Sequence, residues 1–91
     1  MSEENRINQG YVIIDSITVK NVEFVLGEHP TAPSRYVTWE CKDGNNYYWG
    51  HYMSDKFAAK RDLHKRVESE VSYLRSIGTM PPVSVKHDHE R

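Results

Sequence analysis

The residues best suited to catalysis lie in and near the stretch Trp49-Gly50-His51-Tyr52. His51 can change protonation state near neutral pH and could serve as a general base. Cys41, the only cysteine of the chain, would be the matching nucleophile. Strand pairing across a turn at residues 43–45, however, places Cys41 near residues 46–48 and not near His51. Cysteine is also among the most often buried residue types, so we expect that the protein is not an enzyme.

Histidines offer a second kind of chemistry, metal binding. His87 and His89 flank Asp88 near the C-terminus. A structural zinc site needs four ligands, and His29 and His64 could join only if the fold delivered them. A single cysteine also excludes a disulfide within the chain and argues against a cysteine-based zinc site. We expect no metal and no cofactor.

A third candidate is basic. Cationic residues are concentrated in one segment with a helical pattern, and their positions are Lys56, Lys60, Arg61, Lys65 and Arg66. Spacing of 100° per residue spreads them around the helix, which is typical of a solvated face. If the protein binds nucleic acid, we assign phosphate contact to Arg61, Lys65 and Arg66. The net charge of −1 argues against this function without excluding it.

Alternating apolar and β-branched residues predict four strands, at residues 11–19, 22–28, 36–42 and 46–53. Asp43-Gly44-Asn45 is a strong hairpin turn, and Lys20-Asn21 is a second turn in which Asn21 tolerates a positive φ. Residues 29–35 contain two prolines and predict a loop.

The first hairpin contains a conflict. A two-residue turn at Lys20-Asn21 places Asp15 opposite Leu26, on the apolar side of the hairpin. We expect a bulge near Asp15, which would redirect Ile14 and Ile13; the alternative is a strand end that leaves the carboxylate in solvent.

One long helix is predicted after the strands. Ser54 is expected to be its N-cap and Asp55 to lie in its first turn, and the helix should end near Ser76 with Gly78 at C′. Its apolar residues fall in a stripe about 120° wide and are Phe57, Leu63, Val67, Val71 and Leu74.

Together the elements predict the α+β class: an antiparallel β-meander of three to four strands packed on one long C-terminal α-helix. The helix should cover one apolar face of the sheet, formed by Ile17, Val19, Val22, Phe24, Leu26, Val37, Trp39, Tyr47, Trp49 and Met53. The opposite face should stay open and show Val25, Tyr36, Thr38, Glu40, Tyr48 and Tyr52.

With 91 residues the chain has room for one domain. We expect a flexible lead at residues 1–10, the α+β domain at 11–78 and a mobile tail at 79–91. No apolar run resembles a signal peptide or a membrane helix. With one cysteine, the expected compartment is a reducing cytoplasm.

Four segments carry a resemblance, namely Phe24-Val25-Leu26-Gly27, Ala32-Pro33, Tyr36-Val37-Thr38-Trp39 and Tyr48-Trp49-Gly50-His51-Tyr52. They resemble a family of short uncharacterised bacterial proteins encoded by small open reading frames in genomes and mobile elements. The resemblance spans roughly residues 11–75, and its most specific part is Trp49-Gly50-His51-Tyr52 before a helix. It implies a bacterial cytosolic protein and supplies no catalytic residue, cofactor or partner.

The functional expectation is a binding or accessory module. An open aromatic sheet face would contact a protein partner or a second copy, and we assign this binding to Tyr36, Thr38, Tyr48, Gly50 and Tyr52. Cross-strand aromatic pairing that stabilises the sheet explains the same tyrosines without a partner. The alternative function is a nucleic-acid-binding domain that uses the sheet and the basic half of the helix.

Overall fold

A curled antiparallel sheet packs against one helix in a computed structural model, which describes residues 6–78 and 83–86. In chain order the elements are β1 (Ile7–Asn8), β2 (Tyr11–Val19), β3 (Val22–Glu28), β4 (Tyr36–Lys42), β5 (Asn46–Met53), α1 (Lys56–Ser76) and β6 (Val83–Lys86). The predicted α+β class is confirmed, and β2 to β5 have the bounds that the alternation predicts.

The strand count is higher than predicted. Within the described residues, five strands follow one another in the order β1-β2-β3-β4-β5, and the short β6 also pairs with β2. Ile7 pairs with Val12, and Val83 pairs with Val19, so both additions lie along the outer edge of β2. Parts of the predicted flexible lead and mobile tail are therefore strands, while residues 1–5, 79–82 and 87–91 lie outside the described residues. β1 has only two residues, and the four residues of β6 alternate apolar and polar types over too short a run to predict a strand without the pairing that β2 supplies.

The first hairpin follows the predicted register. Val19 pairs with Val22 and Asp15 with Leu26. The register shifts between Ile13 and Asp15, so the bulge is present and residues 11–19 form one strand. The positive φ of the turn belongs to Lys20, at 55°, and not to Asn21 as expected.

Two separate hydrophobic cores form among the described residues, one on each face of the sheet. The helix-side core lies between sheet and helix, and its buried members are Ile14, Ile17, Val19, Phe24, Leu26, Ala59, Leu63 and Leu74. The concave-face core lies on the opposite face, and its buried members are Tyr11, Ile13, Val25, Val37, Trp39 and Cys41. Burial of each large apolar side chain contributes roughly 1.5–3 kcal/mol, so a second core matters in a chain of this size.

The prediction of one core face was wrong for the second half of the sheet. Val37, Trp39 and Tyr47 belong to the concave-face core, and Trp49 is 70 % exposed. The cause is the pairing of β3 with β4, which puts Trp39 beside Val25. Both strands have apolar residues on alternate positions, and only this register decides which set meets the helix.

The face predicted to be open is closed by curvature. The rings of Tyr11 on β2 and Tyr52 on β5 are 6.0 Å apart, although β3 and β4 lie between those strands. In a flat sheet, three strand spacings would separate them by about 14 Å. The Tyr11 hydroxyl also donates to the carbonyl of Ser34 at 2.6 Å, which ties the loop at residues 29–35 to this core.

The helix begins one residue later than predicted. Asp55, not Ser54, is the N-cap, and its side chain accepts from the Ala58 amide at 2.9 Å. Ala59 is fully buried, whereas Phe57 is 75 % exposed. The buried stripe has the predicted width but is rotated by about 40°, because the small Ala59 allows close approach to the sheet. In the described part of the chain no helix is long and apolar enough to cross a membrane.

Replacing Val25, which has no exposed area, tests the concave-face core. Val25→Ala should lower the free energy of unfolding by about 1–3 kcal/mol, since it leaves a cavity among packed side chains. Val85, 57 % exposed on β6, is the matched control, and Val85→Ala should stay within about 0.5 kcal/mol of wild type. Urea denaturation measures both. Equal small losses would mean that this face is open to solvent after all.

Candidate functional site

A β-bulge on β5 determines the most unusual surface of the molecule. The register of β4 and β5 shifts at Trp39, which faces two residues of β5, Trp49 and Gly50. A Cβ atom on Gly50 would lie 2.8 Å from Nε1 of Trp39 and 2.9 Å from Cε1 of Tyr52. Because no side chain fits there, Gly50 accommodates the neighbouring aromatic rings.

Trp49 has a backbone conformation that disfavours L-residues. Its φ is 63°, in the left-handed region, which costs a non-glycine residue roughly 1–2 kcal/mol. Its side chain is 70 % exposed, and the nearest aromatic ring is that of Tyr48, with ring centroids 6.3 Å apart. A strained backbone and an exposed indole do not stabilise the domain in any evident way. Because strained residues cluster at functional sites, Trp49 is a candidate for binding.

The exposed ring borders an open groove of about 320 Å³ on the helix side of the sheet. We name this groove, together with the Trp49 ring, the Trp49 surface. Its lining residues are Phe24, Glu40, Trp49, His51, Arg66, Ser69 and Glu70.

A polar network beneath the Trp49 surface joins the helix to the sheet. Asp62 of α1 accepts from Oγ1 of Thr38 at 2.5 Å and from Nδ1 of His51 at 2.9 Å. Arg66, one turn further along, donates from Nε to Asp62 at 3.4 Å and from its guanidinium to the carbonyl of Trp49. The strained residue is therefore held by a guanidinium whose own side chain is 11 % exposed.

Burial of Asp62 opposes its ionisation, but hydrogen bonds from Thr38 and His51 and the nearby charge of Arg66 outweigh it. The pKa of Asp62 therefore lies below its ordinary value. The carboxylate stays charged near neutral pH, and His51 donates to it from Nδ1. The other ring nitrogen of His51 remains for contacts from the groove.

The five residues to which we assigned binding do not share one open face. Tyr36 packs against the helix-side core, and Thr38 is completely buried under the helix. Tyr48, paired with Glu40, also faces the helix side. Tyr52, which is 47 % exposed, points to the concave face, and Gly50 lies in the bulge between the two sides. The bulge on β5 separates Tyr52 from Tyr48, whereas the register of β3 and β4 places Tyr36 and Thr38 on the helix side.

The basic residues of the nucleic-acid alternative are also divided. Arg61 and Lys65 are exposed on the helix. Arg66 is turned toward the sheet and committed to Asp62 and to the Trp49 carbonyl. The predicted set is therefore not one continuous phosphate-binding surface.

Cys41 and His51 lie on opposite faces of the sheet, so they do not form a nucleophile–base pair. Burial raises the pKa of the Cys41 thiol, and the carboxylate of Glu23 raises it further. Glu23 is itself held ionised: burial opposes its charge, but the guanidinium of Arg6, at 2.7 Å, and the hydroxyl of Ser16 lower its pKa. The cluster of Arg6, Ser16 and Glu23 closes one end of the concave-face core. The carboxylate of Glu23 helps to keep the Cys41 thiol protonated.

Metal ligation finds no support in the part of the chain that is described, where no three histidine, cysteine or carboxylate side chains gather around one point. His87 and His89 lie outside that part. His29 instead orders its own loop, because its Nδ1 accepts from the amides of Thr31 and Ala32, each at 3.1 Å.

Sequence reasoning missed Trp49 as a surface residue and Asp62 as the centre of a network. One signal was available for Trp49, since a glycine directly after it in a strand indicates a bulge that redirects a side chain. For Asp62 there was none, because its partners Thr38 and His51 come from two strands far away in sequence.

Substitution of Trp49 should separate backbone strain from packing. Trp49→Gly removes the strain and an exposed ring, so its free energy of unfolding should equal that of wild type or exceed it by up to about 1 kcal/mol. Trp49→Ala keeps the strain and should be less stable than Trp49→Gly. Urea midpoints measure the order of the two variants. A loss of more than about 1 kcal/mol in Trp49→Gly would identify the indole as a packing residue.

Asp62→Ala should lower the free energy of unfolding by about 2–4 kcal/mol at pH 7, because it leaves Arg66 without its countercharge and the buried Thr38 hydroxyl without its acceptor. The folded pKa of Asp62 is depressed, so its stabilisation is present above the unfolded value of about 3.9 and is lost as pH falls through the lower folded value. The advantage of wild type over the variant should thus shrink as pH falls below about pH 4.

Urea denaturation at several pH values measures this difference, and Glu68→Ala, on an exposed position of the same helix, is the control. A loss in Asp62→Ala no greater than in the control would show that the network does not hold helix and sheet together.

No protein-family model, no curated protein and no solved structure matches the chain.

Proposed function

We propose that the protein is a non-enzymatic binding module that holds a segment of a partner protein on its Trp49 surface. The observation that carries the proposal is Trp49 itself, an indole 70 % exposed on a backbone with φ of 63°. Tryptophan is enriched among the residues that dominate binding energy at protein interfaces.

The backbone beneath the indole is held before any partner arrives. Arg66 bonds the Trp49 carbonyl, and Asp62 in turn bonds Arg66. Gly50 fits closely against Trp39 and fixes the other side of the bulge. A side chain on a fixed backbone loses less conformational entropy on binding than one on a mobile loop, which favours affinity.

Polar groups surround the indole in the way that a protein interface requires. His51, Arg66, Ser69 and the two glutamates of the groove supply both donors and acceptors along its walls. The groove is open to solvent, which suits an extended segment of polypeptide better than an enclosed small molecule.

Other functions have weaker support. A nucleic acid on this surface would bring phosphates against Glu40 and Glu70, which repel them. A second copy of the chain is a particular case of a protein partner. The buried free thiol of Cys41 supports the expected reducing cytoplasm, and the resemblance to small bacterial proteins stays a prediction.

Random-peptide display tests the proposal. Peptides are selected on immobilised wild type with counter-selection on Trp49→Gly, which is expected to fold because it removes the backbone strain. Selected peptides should bind wild type at least about tenfold more tightly than Trp49→Gly, the loss typical of a central interface residue. Phe57→Ala, which removes another exposed ring, is the control and should bind as wild type does.

Nuclear magnetic resonance maps the contact. Amide shifts on peptide addition should concentrate at residues 48–51, 66, 69 and 70. Light scattering tests whether the protein binds a second copy of itself. Titration with random DNA and RNA at two salt concentrations tests for nucleic-acid binding. A salt-sensitive affinity for nucleic acid, or peptides that bind Trp49→Gly as well as wild type, would overturn the proposal.

A further inference from the structure

We infer that the Trp49 surface recognises a cationic side chain, the guanidinium of an arginine or the ammonium of a lysine, presented by the partner segment. The inference rests on the proposed function and adds the chemistry of the partner to it.

The first observation is the aromatic wall. Trp49 exposes its ring to the groove, and Phe24 lies in the floor. The face of an indole attracts a cation through its quadrupole, and tryptophan is the best of the aromatic residues in this role. An apolar partner side chain could use the same ring, so the ring alone does not determine the partner.

The second observation is the charge around the ring. Glu40 enters the groove from β4 and Glu70 from α1, so the carboxylates come from the sheet and from the helix. In the described structure neither glutamate has an ion pair or a side-chain hydrogen bond, and both are half-buried. A half-buried carboxylate gains from a charge-assisted hydrogen bond when a cation becomes available.

Arg66, which already lines the groove, does not pair with Glu40 or Glu70. Arg66 is committed to Asp62 and to the Trp49 carbonyl, and its charge is balanced by Asp62. Lys42, the nearest lysine along β4, is exposed and does not line the groove. Asp62 balances Arg66 and does not line the groove, so the carboxylates of Glu40 and Glu70 remain without a countercharge there, and the Trp49 surface complements a positive charge.

Small amides of single amino acids test the inference directly. N-acetyl-arginine amide and N-acetyl-lysine amide are titrated into the protein, and the indole Nε1–H signal of Trp49 is followed by nuclear magnetic resonance. We expect saturable shifts with a Kd of roughly 1–10 mM that weakens in high salt. N-acetyl-norleucine amide has a similar length without the charge and should bind at least about tenfold more weakly.

Variants identify the groups responsible. Glu40→Gln combined with Glu70→Gln should raise the Kd for the arginine amide at least about tenfold, while Glu68→Gln, the same change outside the groove, should leave it unaltered. If the double variant does not fold, Glu70→Gln alone gives the same comparison with a smaller effect. Equal affinity for arginine and norleucine amides, or no effect of the glutamine changes, would overturn the inference.

The peptide selection distinguishes this failure from that of the proposed function. Peptides that need Trp49 but lack arginine and lysine would refute the cationic partner and leave the binding module intact. An arginine amide that binds the groove while no selected peptide depends on Trp49 would refute the binding module alone.

Discussion

The close approach of Trp39 to Gly50 is the constraint on which the rest of the structure depends. The indole of Trp39 is 2 % exposed and lies where a side chain on residue 50 would be. β5 can follow β4 past this ring only by inserting an extra residue, and that residue is Trp49. The bulge leaves Tyr47 and Tyr52 on the concave face and sends Trp49 to the helix side. The packing of one tryptophan thus determines the exposure of the other.

Contacts from the helix hold the same bulge in place. Thr38 is a polar residue with no exposed area beneath α1, and such a hydroxyl needs a partner. Asp62 accepts the hydrogen bond of this hydroxyl and also positions Arg66. The guanidinium of Arg66 donates to the carbonyl of the strained residue Trp49. The network that satisfies a buried hydroxyl therefore also fixes the Trp49 surface. The fold and the candidate site share these residues, so a substitution of Asp62 affects both of them.

Local sequence patterns predicted the features that depend on residues close together in the chain. Alternation gave the bounds of four strands, the conflict at Asp15 gave a bulge, and Gly78, with φ of 85°, ends the helix as expected. The face that β4 turns to the helix was not predictable from alternation, because both of its faces carry side chains that can be buried. That choice depends on the register across a seven-residue loop and on the curl that brings Tyr11 to Tyr52. Of the candidate site, sequence singled out the stretch around Gly50 and put Trp49 on the helix side, but it predicted a buried ring where the structure has an exposed one, and the link between Asp62 and His51 exists only after folding.

Two cores explain how so small a domain can keep a costly surface. A single layer between sheet and helix would leave little stability in a chain of 91 residues, and a strained residue would consume a large fraction of it. The concave-face core adds a second set of buried side chains that does not involve the helix. The Trp49 surface lies on the opposite side from this core and meets it where Trp39 packs on Gly50. Its exposed indole, and its two glutamates that have no ion pair among the described residues, can therefore be altered with little effect on folding, which is the condition under which binding, rather than stability, accounts for their presence.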